Sequence, residues 1–273
     1  MERISSLHNP RVKSFVQLST KSRDRKKQNR FVMEGIREIK LAFDAGYIPD
    51  PLFICGERMQ EDVLEWVSNL PADVNKIEVS PEVFNKMAYR ETTGGLLAVS
   101  TFKQHALSAL SLGGNPFIII LESVEKPGNL GAVLRTADAA GADAVIICDP
   151  LTDLYNPNVI RSSVGCLFSV PVAVSDPVET LAWLKERKIN LYAAELNAVN
   201  FYHETDFTEP SAIIMGTESD GLTDFWIKNA DAGIKIPMNG KIDSLNVSVS
   251  TAIITYEAMR QRNKLHQIIK NIK

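Results

Sequence analysis

Ile236-Pro237-Met238-Asn239-Gly240-Lys241-Ile242-Asp243-Ser244-Leu245-Asn246-Val247-Ser248-Val249 is the stretch on which the reading of this chain turns. Ala232 to Met238 reads as a short strand ending at a proline, and Asn239-Gly240 is a turn dipeptide. Asp243 or Ser244 is placed to cap a helix. The apolar positions Val249, Ala252, Ile253, Tyr256 and Met259 then follow at helical spacing. The polar run Asp243, Ser244, Asn246 thus falls at a strand-to-helix junction, where loose backbone N–H and C=O groups can hold a ligand. Taken alone, the stretch also fits an ordinary strand-to-helix connection with a capping serine.

Upstream, strands and helices alternate from Phe117 onward. The pattern predicts strands over 117–124, 144–148, 167–172, 191–194, 212–215 and 233–236, and helices over 130–140, 159–164, 177–187 and 222–229. A final helix is expected from Ser244 to Arg262. Apolar strands in β–α alternation argue for a parallel sheet with helices on both faces. Ligands of such sheets bind beyond the carboxyl ends of the strands. The first hundred residues give a smaller α/β pattern, with strands around Phe31, Leu52, Ile77 and Gly95 to Thr101 and helices over 12–18, 35–45 and 60–68. His105 to Pro116, with its Gly113-Gly114 pair, is the best linker. The expected division is 1–104, a linker over 105–115, and 116–273.

Composition sets the class. With 45% apolar and 23% charged residues, the 273-residue chain is that of an ordinary soluble globular protein. No apolar run approaches the roughly 18–20 residues of a membrane span, and the N-terminus lacks an apolar signal core. Cys55, Cys148 and Cys166 are odd in number and lack metal spacing, so buried free thiols in the cytoplasm, and no metal, are expected. The net charge of −3 hides an asymmetry: residues 1–40 hold eleven Lys/Arg against four acids, +7, leaving −10 for the rest. A basic end on an acidic body suggests a polyanion-facing surface. The cluster Arg23, Arg25, Lys26, Lys27 and Arg30 is its centre, with Arg161 beside Ser162 and Ser163 as a further phosphate contact; a solvated helix end is the plainer alternative.

Three loops at strand ends carry the chemistry. The first, Glu125-Lys126-Pro127-Gly128-Asn129-Leu130-Gly131, opens the helix bearing Arg135, with Asn129 placed to cap it. The second is Met215-Gly216-Thr217-Glu218-Ser219-Asp220-Gly221, in which two glycines bracket an acid, and the third is the opening stretch. Neither a G-x-x-x-x-G-K-[ST] loop nor a dinucleotide G-x-G-x-x-G follows the first strand of this half, which disfavours a P-loop NTPase and a nicotinamide oxidoreductase.

These motifs resemble the SpoU (TrmH) group of RNA ribose 2′-O-methyltransferases. The resemblance rests on Asn129-Leu130-Gly131 with Arg135, on Gly216-x-Glu218-x-x-Gly221, and on Ile236-Pro237-Met238 followed by Ser244-Leu245-Asn246-Val247, in that order. Ser6-x-x-Asn9-Pro10, the basic cluster and Glu34-Gly35 carry a weaker resemblance to the L30e-like substrate-binding unit often attached to these enzymes. The resemblance implies a C-terminal trefoil knot, a homodimer, and S-adenosylmethionine held by Leu196, Gly216, Gly221, Ile236, Met238, Leu245 and Val247. It places catalysis on Asn129, Arg135, Glu218, Ser244 and Asn246. Arginine is too strong a base to be neutral at low cost, so Arg135 is expected to clamp phosphate or the emerging alkoxide, Asn129 and Asn246 to orient the nucleotide, and Glu218 to position Arg135 or the partner chain's loop. Lys126 departs from the pattern, since many members have an acidic or polar residue before the proline. Ribosomal RNA is the expected substrate, transfer RNA the second, and a non-catalytic RNA-binding protein on the same scaffold the rival.

Overall fold

A computed structural model describes residues 2–90 and 93–272, with side chains of the last helix described through residue 263. The first part of the chain forms β1 (Glu2–Ile4), α1 (Pro10–Thr20), α2 (Ser22–Gln28), β2 (Arg30–Glu34), α3 (Ile36–Asp44), β3 (Leu52–Ile54), α4 (Glu61–Ser68), β4 (Lys76–Val79), α5 (Pro81–Met87) and β5 (Leu96–Thr101). The rest forms β6 (Phe117–Glu122), α6 (Pro127–Ala140), β7 (Ala144–Cys148), α7 (Pro157–Ser162), β8 (Val172–Ser175), α8 (Pro177–Glu186), β9 (Asn190–Ala194), β10 (Asn200–Phe201), β11 (Ser211–Met215), α9 (Asp224–Asn229), β12 (Ala232–Lys235) and α10 (Val247–Ile272).

Contacts divide the chain into two units. One comprises residues up to Gln104 together with Asp153–Ser169, the other His105–Thr152 and Val170 onward. Segment 153–169, which the sequence reading placed with the second half, therefore packs within the first unit. Its anchors are chemical. Arg25 donates to Asp153 at 2.7 Å, and the Tyr155 ring lies 4.4 Å from both Phe31 and Phe102.

The first unit is built on a five-stranded mixed sheet ordered β1-β4-β3-β5-β2. β1, β4 and β3 run parallel, while β5 is antiparallel to both β3 and β2. Phe15, Leu18, Phe53, Ile77 and Phe84 fill one core against it. α2 lies where the sequence showed only a basic run. It ends at Asn29 in the left-handed conformation, φ 53°, one of the residues that tolerates it best.

The second unit is a seven-stranded, wholly parallel sheet ordered β10-β12-β9-β11-β6-β7-β8. β6, β7 and β11 are buried along their whole length, as strands covered on both faces must be. Side chains alternate along β6: Ile118 and Ile120 join the core containing Trp183, Leu184 and Trp226 of α8 and α9. From β6 the chain steps outward to β7 and β8, then crosses over to β9, β11 and β12. The order reverses between β6 and β11, a switch point of the kind where open α/β sheets bind ligands.

Three expectations are corrected. Residues 167–169 are turn rather than strand, because Val164 and Gly165 sit at φ 55° and 86° and reverse the chain; the strand begins at Val172. The last helix starts at Val247, and neither Asp243 nor Ser244 caps it; Asn246 precedes it, its Oδ1 accepting from the Ser248 N–H at 3.0 Å. Its inner face is Val247, Thr251, Ile254, Thr255 and Ala258, so the stripe Val249, Ala252, Ile253 and Tyr256 is the outward one.

Candidate active site

β11 ends at Met215, and the next six residues fold back on themselves. Thr217 and Gly221 exchange backbone hydrogen bonds at 3.0 and 3.2 Å, closing a tight turn. Gly221 occupies φ 70°, open to glycine at little cost. Gly216 has no room for a side chain: a Cβ there would lie 2.2 Å from the Gly221 carbonyl carbon and oxygen and 2.4 Å from the Leu222 nitrogen. Beyond the turn, the buried Glu122 at the end of β6 accepts from the Thr223 N–H at 2.9 Å and its hydroxyl at 2.7 Å, fixing where α9 begins.

Glu218 stands on this turn and gathers the other two motif loops. Its Oε1 accepts from the Asn129 amide at 2.8 Å and from the Asn246 amide, and its Oε2 pairs with the Lys126 ammonium. Asn246 also donates to Asn129 Oδ1 at 3.2 Å. Lys126, then Asn129, hold the Glu218 carboxyl below its ordinary value, so it is ionised at neutral pH. Asn129 is not the cap of α6, which starts at Pro127; its side chain is turned to Glu218 instead. Lys126 was legible only as a departure from the family pattern, and its partner is the acid of the second loop.

Beside this network, a cleft of about 400 Å³ opens at the carboxyl ends of β9, β11 and β12. All seven residues expected to hold cofactor line it: Leu196, Gly216, Gly221, Ile236, Met238, Leu245 and Val247. Glu218 and Ser244 line it too, and Ser244 Oγ donates to Asp243 at 3.2 Å. The charged wall comprises Glu195, Glu218, Asp220 and Asp243 against Lys235. Such a wall favours a ligand carrying positive charge, and the volume is that of a small-molecule site. Sequence reasoning missed Glu195 and Asp220 as lining residues; their signal was position, one residue beyond β9 and within the glycine-bracketed turn.

Arg135 is exposed on α6 and makes no ion pair among the described residues, so the structure does not tie it to the Glu218 network. Among the described residues no group of three or more His, Cys, Asp or Glu could hold a metal. Burial pushes the Cys148 thiol up to about 12, which removes it as a nucleophile at neutral pH.

The expected RNA-facing cations separate into two groups. Arg23, Lys26 and Lys27 are exposed on α2. Arg25, between them, is corrected: it is 2% exposed, paired with Asp153 and donating to the Leu18 carbonyl at 2.7 Å, because the helix turns that position inward. Arg30 pairs with Asp50 at 2.7 Å. Arg161 is half-buried at 3.5 Å from Glu34, and burial lowers its pKa against the opposing pull of that carboxylate.

Comparison with known proteins agrees with this geometry. A model described as the SpoU rRNA methylase family matches residues 116–256, and one described as an MRM3-like substrate binding domain matches residues 9–98. A 23S rRNA (uridine(2479)-2′-O)-methyltransferase from Streptomyces viridochromogenes is 30% identical over 95% of this chain and 92% of its own. The 23S rRNA (guanosine(2553)-2′-O)-methyltransferase RlmP of Bacillus subtilis is 29% identical over 94% and 98%. The crystal structure of the SpoU methyltransferase AviRb from S. viridochromogenes, in complex with the cofactor AdoMet, superimposes with a TM-score of 0.86 at 28% identity, covering 93% of this chain and 98% of that one.

Proposed function

This chain belongs to the SpoU rRNA methylase family, and from that premise we propose that it methylates a ribose 2′-hydroxyl of ribosomal RNA with S-adenosylmethionine as methyl donor. The observation that carries the reading is the convergence of three separate loops on Glu218 at the rim of one cleft. The cofactor's chemistry suits that cleft: apolar residues and tight glycine backbone for the adenosine, and an acidic wall for sulfonium and ammonium charge. Leu196, Ile236, Met238, Leu245 and Val247 would hold it, with Gly216 and Gly221 bringing the backbone close. Bound, S-adenosylmethionine supplies a methyl group on a positively charged sulfur.

The protein's part is alignment and charge. Glu218, held ionised by Lys126 and Asn129, is a weak proton acceptor, so we assign it to orientation: it fixes the Asn129 and Asn246 amides where the nucleotide enters. Ser244 at the cleft wall offers the substrate a further hydrogen bond. Arg135, exposed and without an ion-pair partner among the described residues, clamps phosphate or the developing alkoxide, and the hydroxyl proton passes to solvent. The first unit holds the RNA, with the exposed Arg23, Lys26 and Lys27 on phosphate.

We also propose a homodimer and a trefoil-knotted C-terminal region, as the family leads one to expect. The outward stripe of α10, with Val249 47% and Tyr256 52% exposed, is an apolar face suited to a second copy. Three buried cysteines outside any disulfide among the described residues, and the ribosomal substrate, support the cytoplasm as its location; no helix among the described residues is long and apolar enough to cross a membrane.

The test is transfer of a radiolabelled methyl group from S-adenosylmethionine to total RNA from a strain lacking this protein, followed by digestion to nucleosides. Label in a 2′-O-methylnucleoside of large ribosomal RNA is expected. Label confined to transfer RNA would overturn the substrate, and cofactor binding without any label would overturn the reaction.

A further inference from the structure

The first unit contains a second cleft, of about 460 Å³, walled by the end of α1, by β2, by the end of α5 and by α7. It is lined by the buried apolar residues Phe15, Val32 and Met87 together with the buried charged side chains of Arg25 and Glu34. Tyr89 lines it too, 78% exposed, with the Arg161 guanidinium 4.2 Å from its ring centroid. An aromatic ring this exposed gains little from burial, while the backbone that carries it is bonded to a buried acid. The buried Glu34 carboxylate accepts from the Tyr89 N–H at 3.0 Å and the Arg90 N–H at 2.5 Å, and reaches Arg161 at 3.5 Å. Arg90 in turn pairs with the buried Glu38 at 2.7 Å. One face of the ring is thus backed by a cation that is itself anchored, and Lys86 adds an exposed positive charge beside it.

An exposed ring backed by a guanidinium, with a lysine lining the same nucleotide-sized hollow, matches how proteins take unpaired nucleotides. The π-face accepts any base by stacking, and the cation meets the phosphate. We propose that this cleft binds an unpaired nucleotide of the RNA substrate, its base stacked on the open face of Tyr89 and its phosphate at Lys86. Arg161 acts through Tyr89: it fixes the ring's orientation while Glu34 fixes the backbone beneath it. The site differs from the α2 cluster in what it recognises. Arg23, Lys26 and Lys27 offer charge alone, and charge follows the phosphates of duplex and single strand alike. The proposal rests on RNA as the substrate.

The experiment measures binding of a short fluorescein-labelled single-stranded oligouridylate to the full chain by anisotropy, for wild type, Tyr89→Leu, Tyr89→Phe and Lys86→Gln. Tyr89→Leu is expected to weaken binding by about tenfold, the scale of one lost base stack, while Tyr89→Phe keeps it. Lys86→Gln lowers the slope of log affinity against log salt by about 0.7. Melting temperature and calorimetric S-adenosylmethionine affinity stay at wild-type values, since Tyr89 lies on the surface of the first unit. Wild-type binding by Tyr89→Leu, equal losses in the Leu and Phe variants, or no binding by wild type would each overturn the proposal. Methyl transfer to RNA with binding indifferent to Tyr89 refutes this cleft and leaves the activity standing. Tyr89-dependent binding with no methyl transfer refutes the activity and leaves the cleft standing.

Discussion

Gly216→Ala adds one methyl group where the chain has none to spare. The new Cβ would sit 2.2 Å from the Gly221 carbonyl and 2.4 Å from the Leu222 nitrogen, backbone atoms that no rotamer change can move. The turn must open. Opening it separates Thr217 from Gly221 and forfeits two hydrogen bonds, about 0.5–1.5 kcal/mol each. The residual overpacking adds about 1–3 kcal/mol, for a total of roughly 2–6 kcal/mol. The turn's tip is exposed and can swing away from the sheet, so local distortion takes the larger share. At about 2–4 °C per kcal/mol for a domain of this size, that total lowers the melting temperature by roughly 4–24 °C. Cofactor binding cannot be relieved in that way, because the displaced turn is itself a wall of the cleft. A loss of 2 kcal/mol or more there weakens S-adenosylmethionine by at least about 30-fold. Isothermal calorimetry of a variant shown folded by circular dichroism reads this directly. Wild-type affinity with an unchanged melting temperature would refute both the close approach and the placement of the cofactor.

Glu218→Gln keeps the shape but removes the charge that pairs with Lys126, and its single acceptor oxygen can serve the Asn129 and Asn246 amides or Lys126 but not both, so an amide donor faces one set of donors. A loss of about 10²-fold in kcat/KM is expected from the misplaced amides, together with weaker cofactor binding, because Glu218 is part of the cleft's acidic wall. Because the folded-state pKa of Glu218 is depressed, its contribution to stability is present above its unfolded value and is lost only as pH falls through the lower folded one. Activity between pH 6 and 8 (roughly, on the ordinary carboxylate scale) therefore does not track this carboxyl, and a pH–rate profile with an inflection that disappears in Glu218→Gln would contradict the assignment. Neutralising Arg23, Lys26 and Lys27 together should lower the salt slope of RNA binding by about 2–3 without changing the melting temperature, as filter binding over a salt series would show. Arg25→Ala should do the reverse, costing about 3–5 kcal/mol by stranding Asp153 and lowering the melting temperature while leaving the salt slope alone. Tyr256→Glu should convert a dimer to a monomer in analytical ultracentrifugation; a wild-type monomer would remove the dimer from the account.

The strands were legible because β6, β7 and β11 are unbroken apolar runs, which a parallel sheet covered on both faces requires. Elements fixed by a single residue's conformation were not. The run from Leu167 reads as strand by composition, but Val164 and Gly165 in the left-handed region turn the chain back before it can extend. α5 went unread although its signal was present: Ser80 accepts from the Val83 N–H at 3.3 Å, and Pro81 opens the helix. α10 misled in a different way. Its outward stripe is more apolar than its inward one, which contains the buried Thr251 and Thr255, so hydrophobic periodicity pointed to the wrong face. Burial of Arg25 was illegible for a related reason, since its partner Asp153 lies 128 residues away.

The candidate site was legible in its members but not in its centre. From sequence, Glu218 is one of five polar residues spread over three loops, and Asn129 is more simply a helix cap. Geometry shows why the loops need one another. Glu218 is 26% exposed and Lys126 66%, and an ion pair that open contributes little to stability. Two amides 117 residues apart in sequence gain equally little fold energy by sharing one carboxylate oxygen near solvent. The arrangement does fix direction. With Glu218 accepting from both amides, their donor ends point to one place, and the Asn246 Oδ1 accepts from the Ser248 N–H at the start of α10. Lys126 completes this by keeping the carboxylate charged, so that it accepts and does not donate. The departure at Lys126 thus reads as support for the anchor, and Lys126→Gln should raise the Glu218 pKa toward its ordinary value. Carbon-detected NMR of the Glu218 carboxyl would follow that rise; an unmoved titration would show that the asparagines alone hold the acid.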